Sequence, residues 1–259
     1  MGFLLVLVLG RFAWFPWMKG SPTSTRLFGL VPFLDPLSGM EVLLASRSAP
    51  WTLILGVTAT ASVAAVFGRV FCGWLCPLGL LSDLNDGLRW RLRRLLSRLQ
   101  IRLPEITIPR QTKYGVLLFC LIVSGIGSVP IFTTVSPINL IVLALVFSST
   151  TGLIVVAVIL MLEQFSRRAF CRCLCPAGVV YGWLSRWRRL GVRIRNDSRA
   201  TPCRRCTLSC PMGIRVSENY VVPGKATVDS SECTLCGDCL DACPSGLLCM
   251  GIRRKSDDR

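Results

Sequence analysis

Four apolar stretches, separated by polar and mostly basic segments, dominate the pattern along this chain. They cover about residues 3–18, 51–67, 114–131 and 138–162. A helix needs about 20 apolar residues, within a range of about 17–25, to cross a bilayer, so each stretch predicts a membrane-spanning helix. Gly125, Gly127 and Pro130 interrupt the third stretch, which spanning helices tolerate when neighbouring helices satisfy the backbone.

The first stretch differs from the other three. It is short, it carries Arg11 in its interior, and it lacks the charged start and the small-residue cleavage site of a signal peptide. We therefore interpret it as a membrane helix with a shortened start. A charged residue inside a span is a functional hypothesis by default. The alternative for Arg11 is that its head group extends to the membrane interface.

The basic residues predict the orientation of these helices. The segment 19–50 holds three Lys and Arg residues and 132–137 holds none, whereas 68–113 holds nine and the region from 163 onward holds seventeen. Cytoplasmic loops are enriched in Lys and Arg, so the two basic segments are expected in the cytoplasm. Four spans then place both termini on the cytoplasmic side of the membrane.

Composition agrees with a membrane protein and excludes several functions. Hydrophobic residues make up 52% and charged residues 17%, against about 25% charged in ordinary soluble domains. The Lys and Arg residues that produce the net charge of +16 flank apolar segments. We therefore attribute this charge to membrane topology and expect no nucleic-acid partner. The chain has no His, which excludes His-ligated haem and zinc and a His base. It also has no GxGxxG motif, no P-loop and no nucleophile–base set, which argues against a stand-alone enzyme.

An internal repeat supports a membrane part built from two equivalent halves. Residues 68–79, with sequence GRVFCGWLCPLG, resemble residues 167–178, with sequence RRAFCRCLCPAG. Each copy follows a predicted span and precedes an amphipathic basic stretch, 80–102 or 179–195. Such stretches are typical of helices that lie at the level of the lipid head groups.

Each copy of the repeat contains a CxxxCP motif. Positions i and i+4 of an α-helix share a face, so each pair of thiols is expected to point the same way at the cytoplasmic membrane boundary. If the halves face each other, four thiols converge as a redox dithiol, a metal site or a third cluster. Alternatively, the cysteines are small buried residues of a turn fixed by Pro77 and Pro176. The four are Cys72, Cys76, Cys171 and Cys175, with Cys173 inserted in the second copy.

Hydrophobicity falls from about Asp197 onward, while Cys, Pro, Gly and charge rise. This predicts a boundary between a transmembrane domain, 1–196, and a ferredoxin-type domain, 197–259. The strongest motif of the chain follows: Cys233-x2-Cys236-x2-Cys239-x3-Cys243-Pro244. This run binds a [4Fe-4S] cluster in bacterial ferredoxins, with its fourth Cys serving the other cluster. A structural zinc site is the weaker alternative, since zinc sites normally use two separated CxxC pairs.

A companion run, Cys203-x2-Cys206-x3-Cys210-Pro211, has Ala200 where the first ligand would stand. With the usual crossover, one complete site consists of Cys210, Cys233, Cys236 and Cys239, and an incomplete site consists of Cys203, Cys206 and Cys243. The incomplete site would hold a [3Fe-4S] cluster, a [4Fe-4S] cluster with one open iron, or a cluster with a substitute ligand. The substitutes considered are Cys249, Asp197 and a cysteine of the membrane motif. The alternative is that the second cluster has been lost. Cys120, inside a predicted span, is expected to serve packing.

With these motifs, the chain resembles the NapH/MauN family of membrane polyferredoxins, and more distantly NosR and CcoG. The resemblance covers nearly the whole chain and includes Val31-Pro-Phe-Leu-Asp-Pro-Leu37 and Ser136-Pro-Ile-Asn139. It implies electron transfer tied to the quinol pool and to a periplasmic redox system, such as nitrate reduction or methylamine utilisation. Ala200, in place of a usual Cys, and the shortened first span depart from the family pattern.

Three hypotheses follow for function. The leading one is a membrane electron-transfer subunit of a quinol dehydrogenase, with Arg11 favouring a developing quinone oxyanion and with a redox protein or periplasmic enzyme complex as partner. The second is an assembly factor that supplies electrons to a periplasmic metalloenzyme or quinoprotein. The third is a cluster-bearing membrane scaffold or sensor without turnover. The expected fold is a mainly α membrane protein with four transmembrane helices in two repeated halves and a C-terminal ferredoxin-like module with two clusters.

Overall fold

The computed structural model describes residues 18–21, 24–27, 31–46, 50–98, 100, 109–128, 130–141, 150–195 and 203–253. Arg11, Asp197 and Ala200 lie outside the described residues, as does nearly all of the first predicted span. The predictions that rest on these positions stay predictions.

Helices dominate the described residues. In chain order they are α1 (Pro36–Ser46), α2 (Trp51–Phe67), α3 (Pro77–Arg98), α4 (Thr112–Gly127), α5 (Ile131–Val135), α6 (Thr150–Phe165), α7 (Pro176–Leu184), α8 (Arg205–Ser209) and α9 (Asp238–Asp241). Three single turns of π-helix accompany them, π1 (Phe71–Leu75), π2 (Phe170–Leu174) and π3 (Ser217–Val221), and a 3₁₀ turn spans Ser185–Trp187. The mainly α fold class is confirmed.

Two small antiparallel sheets complete the described part. The first has the order β1 (Met18–Ser21), β2 (Ser24–Leu27), β3 (Val31–Leu34). The second pairs β4 (Leu190–Ile194) with β5 (Leu248–Ile252), with Leu190 opposite Ile252. Neither sheet was predicted from the sequence.

The chain divides into two compact units. The first contains the described residues of 1–61 and 75–180, and the second contains those of 62–74 and 181–259. The second unit therefore combines the cysteine-rich C-terminal part with a segment from the first copy of the repeat. It also takes in residues 181–195, which the sequence analysis assigned to the membrane domain.

Two of the predicted apolar stretches are recognisable as helices. The stretch 51–67 is α2, Trp51–Phe67, and the described end of the stretch 138–162 belongs to α6. The stretch 114–131 is not one helix, since α4 ends at Gly127 and α5 begins at Ile131. Ser128 caps α4 in the left-handed conformation, and the break coincides with the Gly and Pro residues of this stretch.

Only one place within the described ranges combines the length and the apolar character of a membrane span. No helix there, taken singly, is both long enough and apolar enough to cross a bilayer. The pair Thr112–Gly127 and Ile131–Ile141, bent by 110°, meets both criteria when taken together.

The prediction of an amphipathic helix over 179–195 was wrong for its second half. The helix α7 ends at Leu184, and the 3₁₀ turn Ser185–Trp187 leads into β4. The physical reason is tertiary pairing, because β4 bonds to β5 and Val192 at its centre is buried. In the first half of the chain the corresponding stretch is helical, since α3 extends to Arg98.

Polar contacts between α3 and the end of α6 organise the first unit. The Ser82 hydroxyl donates to Oε1 of the buried Glu163 at 2.9 Å. Asn85 Nδ2 donates to the carbonyl of Leu160 at 2.9 Å. Arg167 lies in the loop after α6, and its Nε donates to Oδ2 of Asp86 at 2.7 Å. The second copy of the repeat is thereby fixed to α3.

The motif around Asp35 begins α1. Its carboxylate accepts a hydrogen bond from the Ser38 amide at 3.2 Å, which is the capping interaction expected of Asp before a helix, and Pro36 takes the first helical position. Further along α1, Glu41 is fully buried and accepts hydrogen bonds from the amides of Phe132 and Thr133 at 3.0 and 3.2 Å. The helix α1 is thus attached to α5 through a buried carboxylate.

Candidate iron–sulfur sites

The core of the second unit surrounds the predicted complete site. Its buried members come from β4, β5 and the cysteine-rich loops, and they include Val192, Met212, Val228, Leu235 and Leu248. Inside this core is a cavity, and four of the residues that line it are Cys210, Cys233, Cys236 and Cys239. The structure therefore brings Cys210 together with the three cysteines of the second run.

The electrostatics of these thiols reflect their closeness and burial. Burial, together with the neighbouring thiols of Cys233, Cys236 and Cys210, raises the pKa of Cys239 to about 12. Burial also raises the pKa of Cys236. Several thiolates in one apolar cavity repel each other strongly unless a cationic group lies between them. The backbone amide of Ile214 donates to Cys210 Sγ at 3.4 Å, which is the kind of donor that iron–sulfur sites use to stabilise ligand charge.

The loop between Cys233 and Cys236 depends on an unusual backbone. Leu235 has a φ of 54° and Gly237 a φ of 95°, so the chain turns sharply between consecutive cysteines. Behind this loop, Arg188 is buried and its Nη1 and Nη2 donate to the carbonyls of Cys233 at 3.2 Å and Val228 at 2.7 Å. The turn at Leu235 and the guanidinium of Arg188 together fix the loop so that its cysteines line one cavity.

The three cysteines of the predicted incomplete site also lie together. Burial raises the pKa of Cys206, and the nearby thiols of Cys203 and Cys243 raise it further. Cys203 is exposed to solvent, Cys206 is buried and Cys243 is half-buried. This group is therefore more open to water than the complete site.

The surroundings of Cys243 favour its thiolate form. Burial opposes ionisation, but hydrogen bonds from the Ser245 hydroxyl and from the amides of Leu247, Ser245 and Leu248 lower the pKa of its thiol. Of the proposed substitute ligands, Cys249 lies on β5 opposite Arg193, while Asp197 lies outside the described residues.

A third group of thiols lies in the first unit. Burial raises the pKa of Cys171 well above its usual value, and the nearby thiols of Cys76 and Cys175 raise it further. Three of the four cysteines of the CxxxCP motifs are therefore neighbours. The fourth, Cys72, belongs to the second unit, and its convergence with the others stays a prediction.

The geometry assumed for the CxxxCP motifs was wrong. Cys72 and Cys171 lie in the π-helical turns π1 and π2, not in α-helices. Cys175 has an extended conformation after π2, and its amide donates to the carbonyl of Phe170 at 2.8 Å. Such turns are often found at functional sites. Within the described ranges, no three Cys, Asp or Glu side chains are placed to hold a single metal ion.

Several residues that shape these sites were missed from the sequence. Arg188 belongs to a basic run in which nothing distinguishes it from the exposed Arg186 and Arg189. Trp74, whose indole N–H bonds to the carbonyl of Leu235 at 3.0 Å, stood out only as part of the repeat. A cue was present in the difference between the two copies, which have Gly-Trp and Arg-Cys at the same positions.

Two protein-family models match the parts of the chain that contain the three groups of cysteines. A family described as "4Fe-4S binding domain" matches residues 49–97 and 140–195, which contain the two copies of the repeat. A family described as "4Fe-4S dicluster domain" matches residues 200–248. Both copies of the repeat and the C-terminal part thus resemble sequences associated with iron–sulfur clusters. No solved structure matches the chain.

Similarity to individual proteins extends over most of the chain. The ferredoxin-type protein NapH of Escherichia coli K12 is 30% identical, with 96% of this chain and 87% of the relative aligned. NapH of Haemophilus influenzae is 27% identical over 87% of this chain and 77% of the relative. The methylamine utilization ferredoxin-type protein MauN of Paracoccus denitrificans is 27% identical over 91% and 79%. This chain therefore belongs to the NapH/MauN family of ferredoxin-type iron–sulfur electron-transfer proteins.

Proposed function

We propose that this chain is the membrane-bound electron-transfer subunit of a quinol dehydrogenase, which passes electrons between the quinol pool, its own cytoplasmic clusters and a periplasmic redox system. The observation that carries the proposal is the cavity lined by Cys210, Cys233, Cys236 and Cys239. The thiols come from two distant runs and meet inside an apolar core, a donor set that suits a [4Fe-4S] cluster.

In this proposal the complete site holds a [4Fe-4S] cluster, which supplies one-electron exchange. The chain's own residues set its environment. Ile214 donates its amide to Cys210 Sγ, and the apolar lining, which includes Val192 and Met212, excludes water. Hydrogen bonds to the sulfurs and solvent exposure are among the factors that set cluster potentials.

The incomplete site is proposed to hold a second cluster on Cys203, Cys206 and Cys243. The donors directed at Cys243 support a ligand role, because they favour the thiolate. With Ala200 in the first ligand position, this site provides three thiolates. We therefore propose a [3Fe-4S] cluster, or a [4Fe-4S] cluster with one iron that lacks a thiolate ligand.

The CxxxCP thiols are proposed to form a third redox centre. Support comes from the closeness of Cys76, Cys171 and Cys175 and from the "4Fe-4S binding domain" match over both copies of the repeat. In this proposal Cys72 is the fourth thiol, as the repeat predicts, and electrons pass through this centre on their way between the C-terminal clusters and the quinol. Arg11 is proposed to favour the quinone oxyanion.

A position in the bacterial inner membrane, with four spans and both termini in the cytoplasm, is part of the same proposal. Large apolar side chains are exposed along α2 and α6, such as Leu55, Val63, Ile154 and Val158, and lipid would cover them. The helix α3 is proposed to lie at the cytoplasmic head groups, because Trp90 and Leu88 are exposed beside its basic residues.

Reduction by quinol tests the proposal. The chain is purified in detergent, its iron and sulfide are quantified, and it is reconstituted in liposomes with a short-chain quinol. We expect EPR signals of reduced clusters to grow on addition of quinol. Clusters that are present but exchange no electrons with quinol would contradict the quinol dehydrogenase role. If a host strain lacking this chain keeps full quinol turnover but contains inactive partner enzyme, the assembly-factor hypothesis replaces it.

A further inference from the structure

The first copy of the repeat contacts a ligand loop of the complete site. Trp74, in π1, donates its indole N–H to the backbone carbonyl of Leu235 at 3.0 Å. Leu235 lies between Cys233 and Cys236 and has a φ of 54°. The residues joined by this bond are 161 positions apart in the chain, so only the tertiary fold brings them together.

Gly73 makes the close approach possible. A Cβ atom at this position would lie 2.6 Å from the backbone carbonyl oxygen of Thr234 and 3.5 Å from Thr234 Cβ. The obstructing atom is backbone, so a side chain at position 73 cannot be accommodated by a rotamer change. The backbone of π1 therefore packs directly on the loop that carries the cysteines.

Two further contacts hold the same segment. Arg69 is buried, and its Nη1 lies 3.9 Å from Oε2 of Glu232, the residue before Cys233. The ring of Phe71 stacks on Tyr181 with centroids 6.1 Å apart. Residues 69–74 and 232–235 thus meet through an ion pair, a backbone contact and a hydrogen bond.

The second copy of the repeat lacks the residues for such docking. Arg172 stands at the position of Gly73, and Cys173 stands at the position of Trp74. Arg172 Nη1 donates within its own copy, to the carbonyl of Arg167 at 3.4 Å, and Cys173 is buried. Arg168, equivalent to Arg69, pairs with Asp83 on α3 instead. The two copies share their CxxxCP motif but not their partners.

We infer that Gly73 and Trp74 are positioning residues for the complete cluster site, and that the first copy of the repeat is specialised to dock its Cys72-bearing turn on the Cys233–Cys236 loop. The inference rests on the proposed [4Fe-4S] cluster at this site. The indole fixes the Leu235 carbonyl and the sharp turn around it, and hydrogen bonding around a cluster is one of the factors that set its potential.

The test compares Trp74→Phe with Trp183→Phe in the purified full-length chain. Trp183 is a tryptophan of the second unit with similar exposure, 71% against 63% for Trp74. We expect W74F to keep its iron and sulfide but to shift the midpoint potential and the EPR line shape of the complete-site cluster, while W183F leaves both unchanged. Signals from the incomplete site should not move in either variant. An unchanged potential and line shape in W74F would overturn the inference.

A pair of glycine variants provides a second measurement. Gly73→Ala places a methyl group against Thr234, whereas Gly87→Ala on α3 meets no atom within 4 Å. We expect G73A to lose iron from the complete site and G87A to keep the wild-type content. A G73A variant with wild-type iron content and potential would contradict the docking. Absence of any cluster from the wild type would instead reject the proposed function, so the two failures are distinguishable.

Discussion

Arg188 holds the ligand loop at Cys233, because its guanidinium Nη1 donates to the Cys233 carbonyl at 3.2 Å. The same side chain donates through Nη2 to Val228 at 2.7 Å and is 3% exposed. A buried cation that donates to two carbonyls stabilises both the turn and the β4 region from which it comes. Each hydrogen bond to a charged group contributes about 1.5–3 kcal/mol.

Substitution of Arg188 by Met is expected to destabilise the second unit. The Met side chain fills part of the space but leaves two carbonyls without their donor, at a cost of about 2 kcal/mol or more. We expect a lower unfolding temperature by circular dichroism and loss of iron from the complete site. Arg186→Met, which changes an exposed neighbour, is the control and should keep both properties. Equal behaviour of the two variants would show that Arg188 has no special role.

Replacement of Ala200 by Cys is expected to complete the second site. The new thiolate stands in the first position of the Cys203-x2-Cys206-x3-Cys210 run, where the bacterial ferredoxin spacing has a ligand. We expect iron per chain to rise and the EPR signal of an oxidised [3Fe-4S] cluster, if present in the wild type, to disappear. Iron and sulfide analysis with EPR measures both changes.

Cys249→Ser in the wild-type background serves as the companion variant. If Cys249 supplies the missing ligand, this change lowers the iron content of the wild type and A200C restores it. If Cys249 is only a residue of β5, C249S leaves the iron content unchanged. If the wild type already holds a complete second cluster and A200C gains no iron, the prediction that the second site lacks a thiolate is contradicted.

Cys171→Ala is expected to remove the third redox centre while leaving the other two sites intact. Cys171 is the thiol whose neighbours include both Cys76 and Cys175. We expect loss of one cluster's share of iron and a lower rate of cluster reduction by quinol, with the EPR signals of the C-terminal sites preserved. Cys120→Ala changes the buried cysteine of α4 and is the control. Wild-type reduction rates in C171A would leave only a structural role for the motif.

The buried Glu41 makes the free energy of unfolding depend on pH. Burial raises its pKa above 4.5, although the amides of Phe132 and Thr133 partly oppose this. The folded state therefore binds the proton more tightly than the unfolded state, so stability is lost as pH rises from 4.5 through the raised pKa. Thermal unfolding of Glu41→Gln over this range should show a smaller slope than the wild type. Asp241→Asn, at an exposed carboxylate, should retain the wild-type slope, and a wild-type slope in E41Q would contradict the assignment.

The sequence determined the features that depend on neighbouring residues. The spacing of Cys233, Cys236 and Cys239 predicted a shared loop, because three ligands so close in the chain must turn around one centre. The apolar stretch 51–67 predicted a spanning helix. The helix is confirmed as Trp51–Phe67, and its position in a membrane stays a prediction. Asp35 before Pro36 is a local capping pattern that the structure uses at the start of α1. These features require only short-range geometry.

Tertiary structure decided which distant residues meet. The β4–β5 pairing overrode the helical pattern of 179–195, because pairing with β5 and burial of Val192 outweigh the local preference. The similar copies of the repeat predicted equivalent halves. Gly73 and Trp74, however, meet Thr234 and Leu235, while the second copy contacts α3 through Arg167 and Asp86. A hydrogen bond across 161 residues leaves no periodic signal in the chain, so only the packed structure reveals it.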